Sequence, residues 1–80
     1  MENQANEILT RQEDQKSFKG IIKFIEFNSK GNKLYTDIKK GRSCVVNPQA
    51  GFLYTWLTTE ITEVISNKEF KTKNSHYKIE

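Results

Sequence analysis

His76 and Cys44 are the only histidine and the only cysteine of the 80-residue chain, and together they bound its catalytic repertoire. Nucleophilic catalysis needs a nucleophile, a base and an orienting group within hydrogen-bond reach. His76 falls between Ser75 and Tyr77 in a turn-like run, where an imidazole reads as a solvated residue. Cys44 lies in "SCVV", where a thiol packs as a small apolar group. Glu60 and Glu63 would share a face only on a helix, and the Thr and Ile around them favour a strand. No glycine-rich phosphate loop of the Walker kind occurs. One histidine and one cysteine do not make a zinc site of the usual four-ligand kind. The expectation is a protein that is not an enzyme, with no metal and no cofactor.

Two patterns suit binding instead. In "GFLYTW" (51–56), Phe52, Tyr54 and Trp56 occupy alternate positions, which on an extended strand sets three rings in a row on one side. Leu53 and Leu57 then take the other side, so one face is core and the other is unclaimed. If the leucines point inward, the rings cover a partner, a twin subunit or a ligand; if the rings point inward, the leucines need a cover. Tyr and Trp are favoured at interface hot spots, so this face is the candidate partner-binding surface. The second pattern is 30–42, "KGNKLYTDIKKGR", where Lys30, Lys33, Lys39, Lys40 and Arg42 stand against Asp37 as the single acid. Such a run can hold phosphates and thus single-stranded nucleic acid. Lysines at turns and strand edges serve equally to block edge-to-edge aggregation.

The elements that must position these groups read as β throughout. Residues 1–17 are polar apart from Ile8 and Leu9 and offer little to bury, so they read as a flexible or short helical segment. The domain itself is expected over 18–80. "SFKGIIKFIEF" has Phe18, Gly20, Ile22 and Phe24 on one face and Ile21, Ile25 and Phe27 on the other, as in a long strand that crosses from one layer to another. "KLYTDI" and "SCVV" are further strands. "FLYTWLTTEITEVI" is too long for one regular strand, and its alternation slips near Thr62–Glu63, where a bulge is expected. In "EFKTKNSHYKIE" a two-residue turn at Asn74–Ser75 pairs Lys73 with His76, Thr72 with Tyr77, Lys71 with Lys78 and Phe70 with Ile79. Phe70, Tyr77 and Ile79 then share the buried face. Five or six short strands spaced by turns predict a small all-β barrel, OB or SH3-like.

The totals set the remaining bounds. Residues 1–17 carry four acids against two bases, a net −2, and residues 18–80 carry eleven bases against six acids, a net +5. A modestly basic domain is compatible with polyanions without requiring them. A core of this size is marginal alone, and a lone cysteine supplies no intramolecular disulfide, which makes oligomerisation an expectation. That cysteine usage fits a reducing compartment. "MENQANEILTRQEDQ" lacks the basic start and apolar run of a signal peptide, and no apolar stretch is long enough for a membrane span. The expected location is the cytoplasm.

Residues 20–50 resemble the opening half of a cold-shock domain, a small nucleic-acid-binding OB barrel. Gly20, Ile22, Lys23 and Phe24 match its first strand, Asn28, Lys30 and Gly31 its N-x-x-K-G turn with one residue fewer, and Val46 and Ala50 its V-F-V-H-x-S-A element. The resemblance implies a barrel. The family's base-stacking aromatics are replaced by Asn32, Leu34, Val45 and Asn47, so base stacking does not carry over. The C-terminal Thr72, Asn74, Ser75 and Tyr77 resemble the closing hairpin of small β proteins of phages and mobile elements. That likeness implies an accessory protein that acts by binding, such as an inhibitor of a bacterial defence system. The functional expectations are therefore a non-catalytic protein-binding module or self-associating protein, alternatively a single-stranded nucleic-acid binder, and third a barrel whose mouth takes a nucleotide.

Overall fold

A computed structural model of the chain describes residues 6–28, 31–48 and 53–80. Eight strands occur among them: β1 (Glu7–Arg11), β2 (Lys16–Gly20), β3 (Ile22–Asn28), β4 (Gly31–Tyr35), β5 (Ser43–Val46), β6 (Trp56–Ser66), β7 (Glu69–Thr72) and β8 (His76–Ile79). They form one antiparallel sheet in the order β2-β1-β8-β7-β6-β5-β3-β4. The protein is all-β, as its β-branched and aromatic runs predict.

Only Ile21 separates β2, at one end of this order, from β3, next to the other end. The long strand expected over "SFKGIIKFIEF" thus exists, with a break at Ile21 that lets its two halves pair with different neighbours. Its inward side chains match the predicted face: Phe18, Ile22 and Phe24 are buried. They join Leu9, Cys44, Val46, Ile61, Phe70, Tyr77 and Ile79 in one core, flanked by Tyr35, Ile38 and Trp56. Phe70 lies at its centre, stacked 5.4 Å from Tyr77 and edge-on to Phe24 at 6.1 Å.

The break is held by Asn47. Its backbone N–H donates to the Ile21 carbonyl (2.7 Å), and its side-chain oxygen accepts from the Ile21 N–H (2.9 Å). Asn47 adopts a positive φ of 56°, which an asparagine tolerates better than most residues. A side chain on Gly20 would overlap the Asn47 amide, so glycine is required there for close approach. Gly20→Ala should therefore cost about 1–3 kcal/mol of stability, the usual scale of overpacking, read as a lower urea midpoint. An unchanged midpoint would show that the amide can step aside.

Three expectations are corrected. The hydrogen-bonded order ends at β2 and β4, so the sheet is not closed as the expected barrel would be. Next, residues 7–17 are neither helical nor a separate tail. Glu7–Arg11 pairs with both β2 and β8, and Leu9 is fully buried beside Phe18 and Ile79. A short polar strand needs only one inward apolar residue when two neighbours supply its backbone partners, a circumstance composition does not record.

The last correction concerns the C-terminal hairpin, which turns at Lys73–Asn74: Phe70 faces Tyr77, Lys71 faces His76 and Glu69 faces Lys78. Thr72 and Ser75 close the turn, N–H to carbonyl, at 2.8 Å. This register keeps Phe70, Tyr77 and Ile79 on the buried face, as expected, but replaces the Lys71–Lys78 opposition with a Glu69–Lys78 pair. Like charges directly opposite are unfavourable and opposite charges favourable, which selects between two registers of equal apolar content. In β6 the register shifts between Ile61 and Glu63, where the bulge is expected, and again between Val64 and Ser66.

Candidate interaction face

Among the described residues the predicted aromatic row is interrupted between Tyr54 and Trp56. Phe52 lies outside the described residues. Tyr54 is exposed ahead of β6, Thr55 sits in a bend, and the strand begins only at Trp56. The bend is fixed because Thr55 donates its N–H to the Val46 carbonyl (2.8 Å) and meets the Asn47 amide nitrogen through its hydroxyl (3.1 Å). Trp56 is half-buried and stacks on Phe18 at 4.3 Å, nearly parallel. Arg11 and Lys16 lie over the indole at 5.5 and 5.9 Å. Arg11 is itself tied to Asp14, which the guanidinium holds down at about 2. Trp56 therefore belongs to the core margin, and of the rings expected to meet a partner Tyr54 is the exposed one among the described residues.

The basic stretch divides in the same way. Lys30 lies outside the described residues. Lys33, Lys39 and Lys40 are exposed. Arg42 is buried and so is not a surface cation. Its Nε donates to Glu26 (3.1 Å), its Nη1 to the Asp37 carboxylate (2.9 Å) and carbonyl (3.0 Å), and its guanidinium lies 3.5 Å from the Tyr35 ring centre. Burial opposes its charge, and the bonds to Glu26 and Asp37 outweigh that opposition, so its pKa lies above the ordinary arginine value. A planar fork with two carboxylates and an aromatic floor is an arginine's structural role, one that lysine cannot fill.

His76 lies in β8 rather than in the turn. Its Nε2 is 2.5 Å from Glu69, and its backbone N–H donates to Glu13. The Cys44 thiol is fully buried, which raises its pKa and keeps it protonated. Among the described residues no group of three or more His, Cys, Asp or Glu is placed to hold a metal, and no helix is long and apolar enough to cross a membrane.

What the sequence reading missed is the contrast between the outer faces of the two halves of the sheet. In the half made of β7, β8, β1 and β2, one row across the outside reads Glu69, Lys78, Thr10 and Ser17. Thr10 and Ser17 share a hydroxyl hydrogen bond of 3.1 Å. That surface is polar. In the half made of β4, β3, β5 and β6, the corresponding rows read Leu34, Ile25, Ser43 and Lys23, Val45, Leu57. Ile25 and Val45 are buried although they point away from the core cluster. Beside them Phe27 and Leu34 are 56% and 48% exposed. Leu57, on the opposite side of β6 from Trp56, extends this face and is half-buried. A signal for it was present: Ile25 and Phe27 alternate on the face opposite Phe24.

A small all-β protein whose outer surface is polar over one half of the sheet and carries the exposed Phe27 and Leu34 on the other is the class that fold and site define. No protein family, curated protein or solved structure matches this chain.

Proposed function

We propose that this is a non-catalytic binding protein that engages a protein partner through the outer side of β3 and β4, where Phe27 and Leu34 are exposed. The observation that carries the reading is the exposure of Phe27 and Leu34 beside Ile25 and Val45, on one half of the sheet only. A contiguous apolar surface on a small protein marks an interface more often than chance exposure does. We read this open sheet as related to small OB or SH3-like barrels, left unclosed between its end strands β2 and β4. An accessory role in a phage or mobile element, for instance inhibition of a bacterial defence system, agrees with a small protein that works by occupying a partner.

Phe27→Asp should abolish capture of the partner from a bacterial lysate, or self-association where that is what wild type shows, while circular dichroism and the urea midpoint stay near wild type. Thr10→Asp, on the polar half, should leave capture intact. Capture retained by Phe27→Asp would overturn the reading. Salt-reversible quenching of Trp56 by a mixed single-stranded oligonucleotide would favour the nucleic-acid alternative, with Lys33, Lys39 and Lys40 as its contacts.

A further inference from the structure

The same face ends at a strand edge, and the hydrogen bonds around β3 define which backbone groups that edge presents. The Asn47 N–H donates to the Ile21 carbonyl, while the Val46 carbonyl accepts from Thr55 on the other side of β5. The Cys44 N–H likewise turns toward β6, donating to the Thr58 hydroxyl at 2.9 Å. Along β3, the backbone groups of Lys23 and Ile25 therefore continue the direction of Ile21 toward β5, and those of Phe24 and Glu26 turn toward β4. Their opposite residues, Tyr35 and Lys33, answer them. The backbone N–H and C=O of Asn32 and Leu34 consequently point away from the sheet, at the end of the strand order.

From this geometry we infer that β4 is a docking edge for an extended segment of a protein partner, added antiparallel, in which apolar residues alternate with acidic ones. The inference rests on the protein-binding reading above and names how the partner is held. Asn32 and Leu34 supply two backbone donors and two acceptors, which is the recognition mode of strand addition. An apolar side chain of the incoming strand meets Leu34 on the outer face, continuing the row of Leu34 and Ile25. Its neighbours point to the other face, where Lys33 is exposed and where the nearby carboxylates of Glu26 and Asp37 are already held by Arg42. Lys39 and Lys40, exposed in the following turn, add to the positive charge. An acidic residue opposite Lys33 is the charge complement, since opposite charges facing across a ladder are favourable. A second copy of this chain fits less well: the register that overlaps all of β4 with its twin sets Lys33 against Lys33.

The test uses the intact protein and three synthetic peptides: one of alternating valine and glutamate, its counterpart of alternating valine and lysine, and the first peptide N-methylated at every second residue. Amide exchange is followed by nuclear magnetic resonance. The valine–glutamate peptide should slow exchange at Asn32 and Leu34 by about tenfold or more, because those donors pass from water into a ladder. The N-methylated peptide should not slow it, and Lys33→Glu should transfer the response to the valine–lysine peptide. Unchanged exchange at these two amides, equal protection by the N-methylated peptide, or protection without peptide in a protein that sediments as a dimer would each overturn strand addition. Asn32→Pro removes one outward donor from an edge position that tolerates proline. Partner capture kept by Asn32→Pro but lost by Phe27→Asp overturns strand addition and leaves the face reading standing. The reverse result overturns the face and supports the edge.

Discussion

Leu9→Ala is expected to cost the protein about 3 kcal/mol, within the ~2–5 kcal/mol measured for removing a fully buried leucine side chain. Leu9 has no exposed surface and packs where β1 meets Phe18 of β2 and Ile79 of β8. A chain of this length holds roughly 4–12 kcal/mol in total, so the loss is a large share of its stability. Urea unfolding followed by Trp56 emission is the direct measurement, because Trp56 stacks on Phe18, the residue paired with Leu9. Ile8→Ala, on the opposite side of the same strand, should cost clearly less. A Leu9→Ala unfolding free energy within about 0.5 kcal/mol of wild type, the scale of a surface change, would mean that β1 is only loosely attached.

Arg42→Ala is the second large effect, expected at about 3 kcal/mol. Removing one partner from a buried ion pair costs ~3–5 kcal/mol, and the lower end applies because the carboxylates of Glu26 and Asp37 keep contact with water. The variant loses three hydrogen bonds and the stacking on Tyr35, and it leaves two neighbouring acids without their common cation. Arg42→Lys should recover less than half of the loss, since an ammonium cannot bridge Glu26 and Asp37 in a plane while lying flat on the ring. Equal stability of Arg42→Ala and wild type would return Arg42 to the role of a surface cation. The same measurement separates the two readings of the basic stretch, because an arginine that stabilises the fold cannot also be free for phosphate.

Much of this fold was legible from alternation. Phe18, Gly20, Ile22 and Phe24 belong to one face because successive strand residues point to opposite sides, and no neighbour can change that parity. The buried face of the C-terminal hairpin was legible for the same reason, since the two candidate registers differ by a shift that preserves it. The choice between them lay in charge: Glu69 opposite Lys78 against Lys71 opposite Lys78. The cluster around Arg42 left a partial trace. Glu26 continues the inward series of Phe24, and an acid on an apolar face implies a cation coming to meet it.

The candidate site was less legible, because it depends on where strands begin and on what lies beside them. "GFLYTW" alternates as written, but Asn47 and Val46 bend the chain at Thr55, and β6 begins only at Trp56. The strand character of the chain, its inward faces and its lone-cysteine, lone-histidine chemistry were determined by the sequence itself, since they follow from local periodicity and residue counts. Tertiary structure alone decided three further things. It recruited Glu7–Arg11 as a strand, it withdrew Arg42 from the surface, and it exposed Phe27 and Leu34 on an outer face beside the end strand β4. Each depends on partners distant in the chain, Phe18 and Ile79 for Leu9, Glu26 for Arg42 and β5 for β3, and a pattern read along one strand contains no information about the strand beside it.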